Sequence, residues 1–476
     1  MRDWMMGLTA AAVLAAPVLA SPRDARAETD WARTEQMAAA LRDKALAGSS
    51  AYPILSSLTS EIGPRLEGSE AEHRAAQWAV ARLKALGFQN VHIESFPVNG
   101  WTRGEERAAV ISPSPQRLLV TALGNSSATP PEGLEAEIAL FHTYADFLAQ
   151  PPGALAGKIA VVTQPMVRAQ DGSGYGMINA MRTFGPREAA KRGAVAYLIR
   201  SLATGDLRSP HTGAAIAAGI PAMALATPDA EQLDRLVALG RPVRLRIVST
   251  PHFQDGATAD TVIGEIPGRE KPGEIVLIGG HLDSWDLGTG AIDDGAGVAI
   301  TTAAAKLIAD LPRPPRRTIR LALFGAEELN FANVAYAKAH PAEEQAHHVI
   351  ASECDFGAEP PWKIALPPGA GRSDYGKALA NVVAPLRIYI DRGPVIDGGA
   401  DLEALSGVPL AELAQDGTHY FDVHHTPDDT LDKVDPRQLD KAVAAWVAFT
   451  YLAADSDVDF RAIAAAAPPA PTGRRP

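Results

Sequence analysis

The run Glu274-Ile275-Val276-Leu277-Ile278-Gly279-Gly280 leads into His281-Leu282-Asp283-Ser284-Trp285-Asp286 and then, through Gly288-Thr289-Gly290, into Asp293-Asp294-Gly295-Ala296-Gly297. A short, near-continuous apolar run reads as a strand buried on both faces, which belongs in a parallel or mixed sheet covered by helices. The apolar-rich stretch 296–311 predicts the covering helix, and 318–324 and 348–352 predict further strands. This alternation is an α/β pattern. The His281 to Gly297 loop therefore sits at the carboxyl end of a strand, where open α/β sheets bind ligands. A phosphate loop fits poorly, because Asp293 and Asp294 stand where a pyrophosphate needs backbone donors. Carboxylate with imidazole favours zinc or a similar divalent ion, and Asp283 is placed to orient His281 from behind.

Two further strands end in acids. The 318–324 strand runs into Gly325-Ala326-Glu327-Glu328, and the 348–352 strand into Glu353-Cys354-Asp355. Taken alone, paired glutamates at a strand end are more often a solvated turn. A third element, Tyr420-Phe421-Asp422-Val423-His424-His425-Thr426-Pro427-Asp428-Asp429-Thr430, supplies adjacent histidines before an acidic turn. His, Asp, Glu, Asp and His from successive strand ends of one domain suit two metals better than independent accidents do. Two ions about 3.5 to 4 Å apart acidify a shared water and polarise a carbonyl. There is no His-Glu-x-x-His, no Gly-x-Ser-x-Gly, and no nucleophile setting around Cys354, so other hydrolase mechanisms lose support.

Outward from this site, 476 residues exceed one ordinary core and predict two or three compact units. A hydrophobic fraction of 46% with 21% charged residues describes a soluble globular chain. A net charge of −12 without a Lys/Arg stripe argues against nucleic acid as a partner. The single cysteine, Cys354, excludes intrachain disulfides and cysteine-rich zinc modules.

Residues 1–20 read as a signal peptide: Arg2 precedes an apolar run ending in Val18-Leu19-Ala20, too short to span a bilayer, with a second cut site at Ala25-Arg26-Ala27. No later segment predicts a membrane span, so the expected location is secreted or periplasmic. Residues 29–103 form an N-terminal helical segment and the first part of the main domain. There, Ser69 and Glu72 predict a capping box that opens a helix. Residues 104–254 have shorter strands between Pro/Gly loops and read as a β-rich α+β insert. Its Ser209-Pro210-His211-Thr212-Gly213 loop reads as a surface turn or as an approach to the site. The main domain resumes over 255–456, with helices expected at 375–386, 401–405 and 436–454, and 457–476 reads as a disordered tail.

With these motifs in place, the chain resembles the co-catalytic zinc exopeptidase family of aminopeptidases and glutamate carboxypeptidases. Residues 62–69, 101–106, 209–213, 281–286 and 424–436 carry the resemblance. It implies a zinc-peptidase α/β domain with a central mixed, largely parallel sheet flanked by helices, interrupted by a protease-associated insert. It implies two Zn2+ per chain, with Asp293 bridging and His281 and Asp355 assigned one to each ion. Glu328 and His425 complete the shells and Glu327 is the general base, with a cis peptide between Asp293 and Asp294. His425 is preferred to His424 because the family's ligand lies four residues before the Asp of the Asp429-Thr430 pair. Asp283, Asp294, His424 and Tyr420 become supporting or substrate-facing residues. The implied substrate is a small peptide, and the implied assembly a homodimer.

The chain departs from the family at Leu329-Asn330-Phe331-Ala332-Asn333, where a Gly-rich loop is usual, and Asp422 is a polar change in an aromatic stretch. Carboxypeptidase or dipeptidase action leads the readings, followed by an aminopeptidase on longer peptides, with a glutaminyl cyclase or a non-catalytic peptide-binding scaffold further behind. A carboxypeptidase needs a cation for the substrate carboxylate, for which Arg372 and Arg392 are the candidates. His347 and His348 read as surface residues, and His419 as pocket or support.

Overall fold

A computed structural model describes residues 28–329, 331–395 and 398–467. The expected signal peptide at 1–20 and the end of the tail, 468–476, lie outside the described residues. The central sheet has five strands in the spatial order Gln89–Pro97, Thr258–Ile266, Arg317–Phe324, Lys271–His281, His348–Glu353. The first three pair antiparallel, while Lys271–His281 is parallel to both of its neighbours. The sheet is thus mixed, and its parallel character is confined to the half whose carboxyl ends carry the predicted site.

Side chains alternate across this sheet with the strand period of two. Val276, Ile278, Ile319, Leu321, Leu323 and Ile350 face one core with the helices Ala296–Ala309 and Pro436–Ala454. Leu277, Ala322, Phe324 and Ala351 face a second core with Tyr336 and Leu402. Burial on both faces is why these strands read as continuous apolar runs. Trp31–Leu46 and Ala51–Ser57 add to the first helical layer, packing on Pro436–Ala454 and Ala296–Ala309.

The region between residues 104 and 254 builds its own eight-stranded sheet, from Glu106–Ser112 to Arg244–Ser249, with helices Ser173–Thr183 and Thr227–Ala238 against it. Ile159, Val161, Leu198 and Leu225 form a private core on one face. Ala160, Val162, Tyr197 and Ala224, on the other, join the main core. Arg103 ties the two units together: its guanidinium donates to Asp286 at 2.8 Å, to Glu106 at 2.7 Å and to Thr212 Oγ1 at 3.0 Å.

Several local expectations change. Ser69 caps Glu70–Ala85 by accepting from Glu72 N, but the Glu72 carboxylate instead accepts from Asp260 N at 2.9 Å. That long-range bond captures the acid and leaves the capping box half made. Residues 401–405 form only a short 3-10 turn, Ala400–Leu402. Part of the expected disordered tail is a helix, Phe460–Ala466, capped by Asp459 and anchored by buried Phe460 against Tyr375. His348 is fully buried and bonds Tyr336 Oη at 3.1 Å; its position at the start of a core strand takes it inside.

Candidate active site

Three carboxyl strand ends and the 420–430 segment converge on Asp293. On one side, His281 Nε2 lies 3.0 Å from Asp293 Oδ1 and 3.5 Å from Asp355 Oδ1. On the other, His425 Nε2 lies 3.1 Å from Asp293 Oδ2 and 3.1 Å from Glu328 Oε2. His281 and Asp355 therefore share one side, and the expectation that they divide between the two ions is corrected. The reason is topological: Lys271–His281 and His348–Glu353 are adjacent parallel strands and end side by side.

Backbone contacts orient both imidazoles. His281 Nδ1 donates to Asp283 O at 3.1 Å, which turns Nε2 toward the carboxylates. His425, at φ 59°, has Nδ1 3.4 Å from Thr212 O. His424 stacks on His425 at 3.5 Å, but its Nδ1 has no hydrogen-bond partner and its Nε2 is 3.5 Å from Asp293. Only His425 of the pair is both oriented from behind and within reach of two carboxylates. Tyr420 packs on His424 and Phe356.

Behind the cluster, Asp283 accepts from Glu327 N at 3.1 Å and Glu328 N at 3.2 Å, so one carboxylate sets both glutamates. Asp294, joined to Asp293 by a cis peptide bond, accepts from His281 N and Gly297 N. Asp429 accepts from Ala291 N, Ile292 N and Asp293 N, and Arg65, fully buried, donates to Leu282, Gly63, Thr289 and Gly290 carbonyls. Asp429 served only as a sequence landmark and Arg65 only as part of a motif; neither carried a local signal of its role.

Electrostatics fits a cation site. Burial pushes Glu327, Glu328 and Asp294 well above the ordinary carboxylate range, with neighbouring acids adding to the effect. Burial also works against charge on Asp293, yet the imidazoles of His281 and His425 hold it well below that range. So many buried carboxylates without matching cations are costly, and divalent ions would offset that cost. Asp293 Oδ2 lies 3.1 Å from His425 Nε2 and is buried without a well-directed hydrogen bond, an oxygen free to meet a cation. Two groups sharing Asp293 have metal-ligand spacing: His281 with Asp355, and His424 with His425.

A cavity of about 1180 Å³ opens on this cluster, lined by Asp293, Glu327, Glu328, Asp355, Tyr420, His424 and His425. The insert also lines it, through Tyr175, Asn179 and Arg182 of the Ser173–Thr183 helix. The 209–213 loop approaches the site and is not a surface turn, for Thr212 N donates to His425 O at 3.0 Å. Asp422 also gains an explanation: it accepts from Arg168 at 2.6 Å and Thr204 at 2.8 Å, tying the histidine segment to the insert. His419 is exposed and pairs with Asp422. Leu329 and Phe331 line the cavity, whereas Arg372 and Arg392 do not.

Residues 261–450 match the model of peptidase family M28. Carboxypeptidase Q of Bos taurus is 34% identical over 413 residues, 85% of this chain and 85% of that one. The chain belongs to peptidase family M28. A solved M28 peptidase precursor from Shewanella amazonensis SB2B superposes on this M28 chain with a TM-score of 0.87 at 44% identity, covering 90% of this chain and 98% of that one. BSAP, a zinc aminopeptidase from Bacillus subtilis, shares the fold, with a TM-score of 0.60 at 21% identity over 86% of this chain and 97% of that one. As an M28 peptidase the protein is a metallo-exopeptidase. Among the described residues no helix is long and apolar enough to cross a membrane.

Proposed function

We propose that the protein is an exported di-zinc exopeptidase that hydrolyses dipeptides or other small peptides, in the manner of carboxypeptidase Q. The observation that carries this reading is Asp293, with one carboxylate oxygen facing His281 and Asp355 and the other facing His425 and Glu328. Those five residues would hold the ions. When bound, the zinc pair supplies an acidified water and a polarised scissile carbonyl.

The remaining chemistry belongs to the chain. Glu327 lines the cavity beside the ligands, and its backbone is fixed by Asp283. Its carboxylate takes a proton from the attacking water as the new C–O bond forms. It returns that proton to the leaving nitrogen as the C–N bond breaks, yielding a carboxylate and an amine. A raised proton affinity through burial suits a group that must carry a proton between the two steps. Residues of the insert line the cavity together with the metal cluster, and its volume of about 1180 Å³ has room for a short peptide end. Export rests on residues 1–20 alone.

The test is hydrolysis by purified mature protein of Ser-Met, N-acetyl-Ser-Met, Ser-Met amide and leucine p-nitroanilide, with chelator and with added zinc. Chelator-sensitive cleavage of the free dipeptide, lost on amidation, supports carboxypeptidase Q-like action. Preference for the anilide moves the protein to the aminopeptidases. Absence of any turnover with zinc bound overturns the hydrolytic reading.

A further inference from the structure

Among the described residues, the buried arginines have matched partners, with one exception. Arg65 donates to four backbone carbonyls, Arg103 pairs with Asp286 and Glu106, and Arg317 pairs with Glu274 while donating to two carbonyls. Arg192 and Arg316 pair with Glu188 and Glu270. Arg182 is only 8% exposed and donates from Nε to Ala214 O at 3.1 Å. Its buried Nη1 has no hydrogen-bond partner, and among the described residues no carboxylate pairs with it. An unpaired buried guanidinium is costly, and an anion in the adjoining space relieves that cost.

The adjoining space is the cavity that also holds Asp293, Glu327 and Glu328. Arg182 is held rigidly at its wall. It sits in the last turn of Ser173–Thr183 with its guanidinium 5.4 Å from the Tyr175 ring centre. A Cβ at Gly213 would come within 2.2 Å of Nη1, so the 209–213 loop packs directly on it. Tyr175 meets His424 edge-on at 5.5 Å, and His424 stacks on His425, so a short chain of ring contacts links the guanidinium to the metal cluster. Burial keeps the Tyr175 phenol protonated, beside the Arg182 charge. The other cation on the wall, Lys363, already faces Asp391 at 3.9 Å.

We propose that Arg182 receives the free C-terminal carboxylate of the substrate, with the Tyr175 hydroxyl beside it. The enzyme would then read peptides by their free carboxyl end while the scissile carbonyl lies at the Asp293 cluster. This assignment rests on the proposed peptide hydrolysis. It gives Arg182 the role for which the sequence had offered Arg372 and Arg392.

The experiment uses the zinc-loaded full mature chain and compares Arg182→Met and Arg182→Lys with wild type on Ser-Met and Ser-Met amide. Binding of Ser-Met is measured by calorimetry in a Glu327→Gln background with and without Arg182→Met. The expected result is a loss of about 30- to 100-fold in kcat/KM on Ser-Met for Arg182→Met, the range for losing charge-assisted hydrogen bonds to a carboxylate. The amide changes by less than about threefold, and Arg182→Lys falls between. Equal losses on acid and amide with unchanged melting and zinc content, or a wild type indifferent to amidation, overturn the assignment and leave the hydrolytic reading intact. If no variant and no wild type turns over peptide, the hydrolytic reading fails instead. Ser-Met binding then decides Arg182 separately: affinity lost with Arg182→Met upholds it, and unchanged affinity overturns it.

Discussion

Thr212, on a loop of the insert, brackets His425 of the main domain: its N–H donates to His425 O at 3.0 Å and its carbonyl lies 3.4 Å from His425 Nδ1. The insert thus orients a residue of the candidate metal cluster. The next residue, Gly213, has φ +139°, and a Cβ there would collide with the Arg182 guanidinium. Gly213→Ala should shift this loop and lower kcat/KM on a dipeptide by about tenfold or more while the chain still folds. Kinetics alongside circular dichroism checks this, and an unimpaired variant would show that the loop does not position His425.

Glu327 faces the cavity but makes none of the close contacts around Asp293 that join His281, Asp355, Glu328 and His425. On the proposed di-zinc reading, Glu327→Ala is expected to lose about 10²- to 10⁴-fold in turnover and to retain as much zinc as wild type. Metal analysis of the purified variant decides the matter, since loss of zinc would make Glu327 a ligand.

Asp293 is shared by both ligand groups, so its replacement should empty both. In Asp293→Ala zinc content is expected to fall toward zero, whereas in Asp355→Ala about one ion should remain. Removing metal also leaves buried carboxylates without counter-cations. Chelator should therefore lower the melting temperature of wild type and have little effect on Asp293→Ala.

His348 supplies a pH dependence away from the candidate metal site. Burial, with Arg320 adding to it, lowers its pKa to about 4, below the ordinary value of about 6.5. Because the folded value is the lower one, the unfolded chain takes up the proton first. Stability is full above about pH 6.5 and declines as pH falls toward 4, by about 3 kcal/mol in total. Denaturant titrations at neutral and acid pH should show a flatter dependence for His348→Gln than for wild type.

The apolar runs at 274–280 and 318–324 revealed their sheet because strands buried on both faces leave little room for polar residues. The ligand candidates were legible for a related reason. Parallel strands put their carboxyl ends at one edge of the sheet, so acids and histidines following them had to meet. Other features depended on partners distant in sequence. Glu72 was captured by Asp260 N, His348 was enclosed by the Tyr336 helix, and residues 460–466 gained a helix once Phe460 found Tyr375. None of these partners is marked in the local pattern.

The amino-acid sequence by itself determined the α/β alternation and the residues available as ligands, because hydrophobic periodicity and strand-end chemistry are local properties. Tertiary structure alone decided that His281 and Asp355 share one side of Asp293, since strand adjacency sets that grouping. It alone singled out Arg182 among the arginines. What distinguishes that side chain is a buried Nη1 with no hydrogen-bond partner among the described residues, at the wall of a cavity that the insert and the main domain line together.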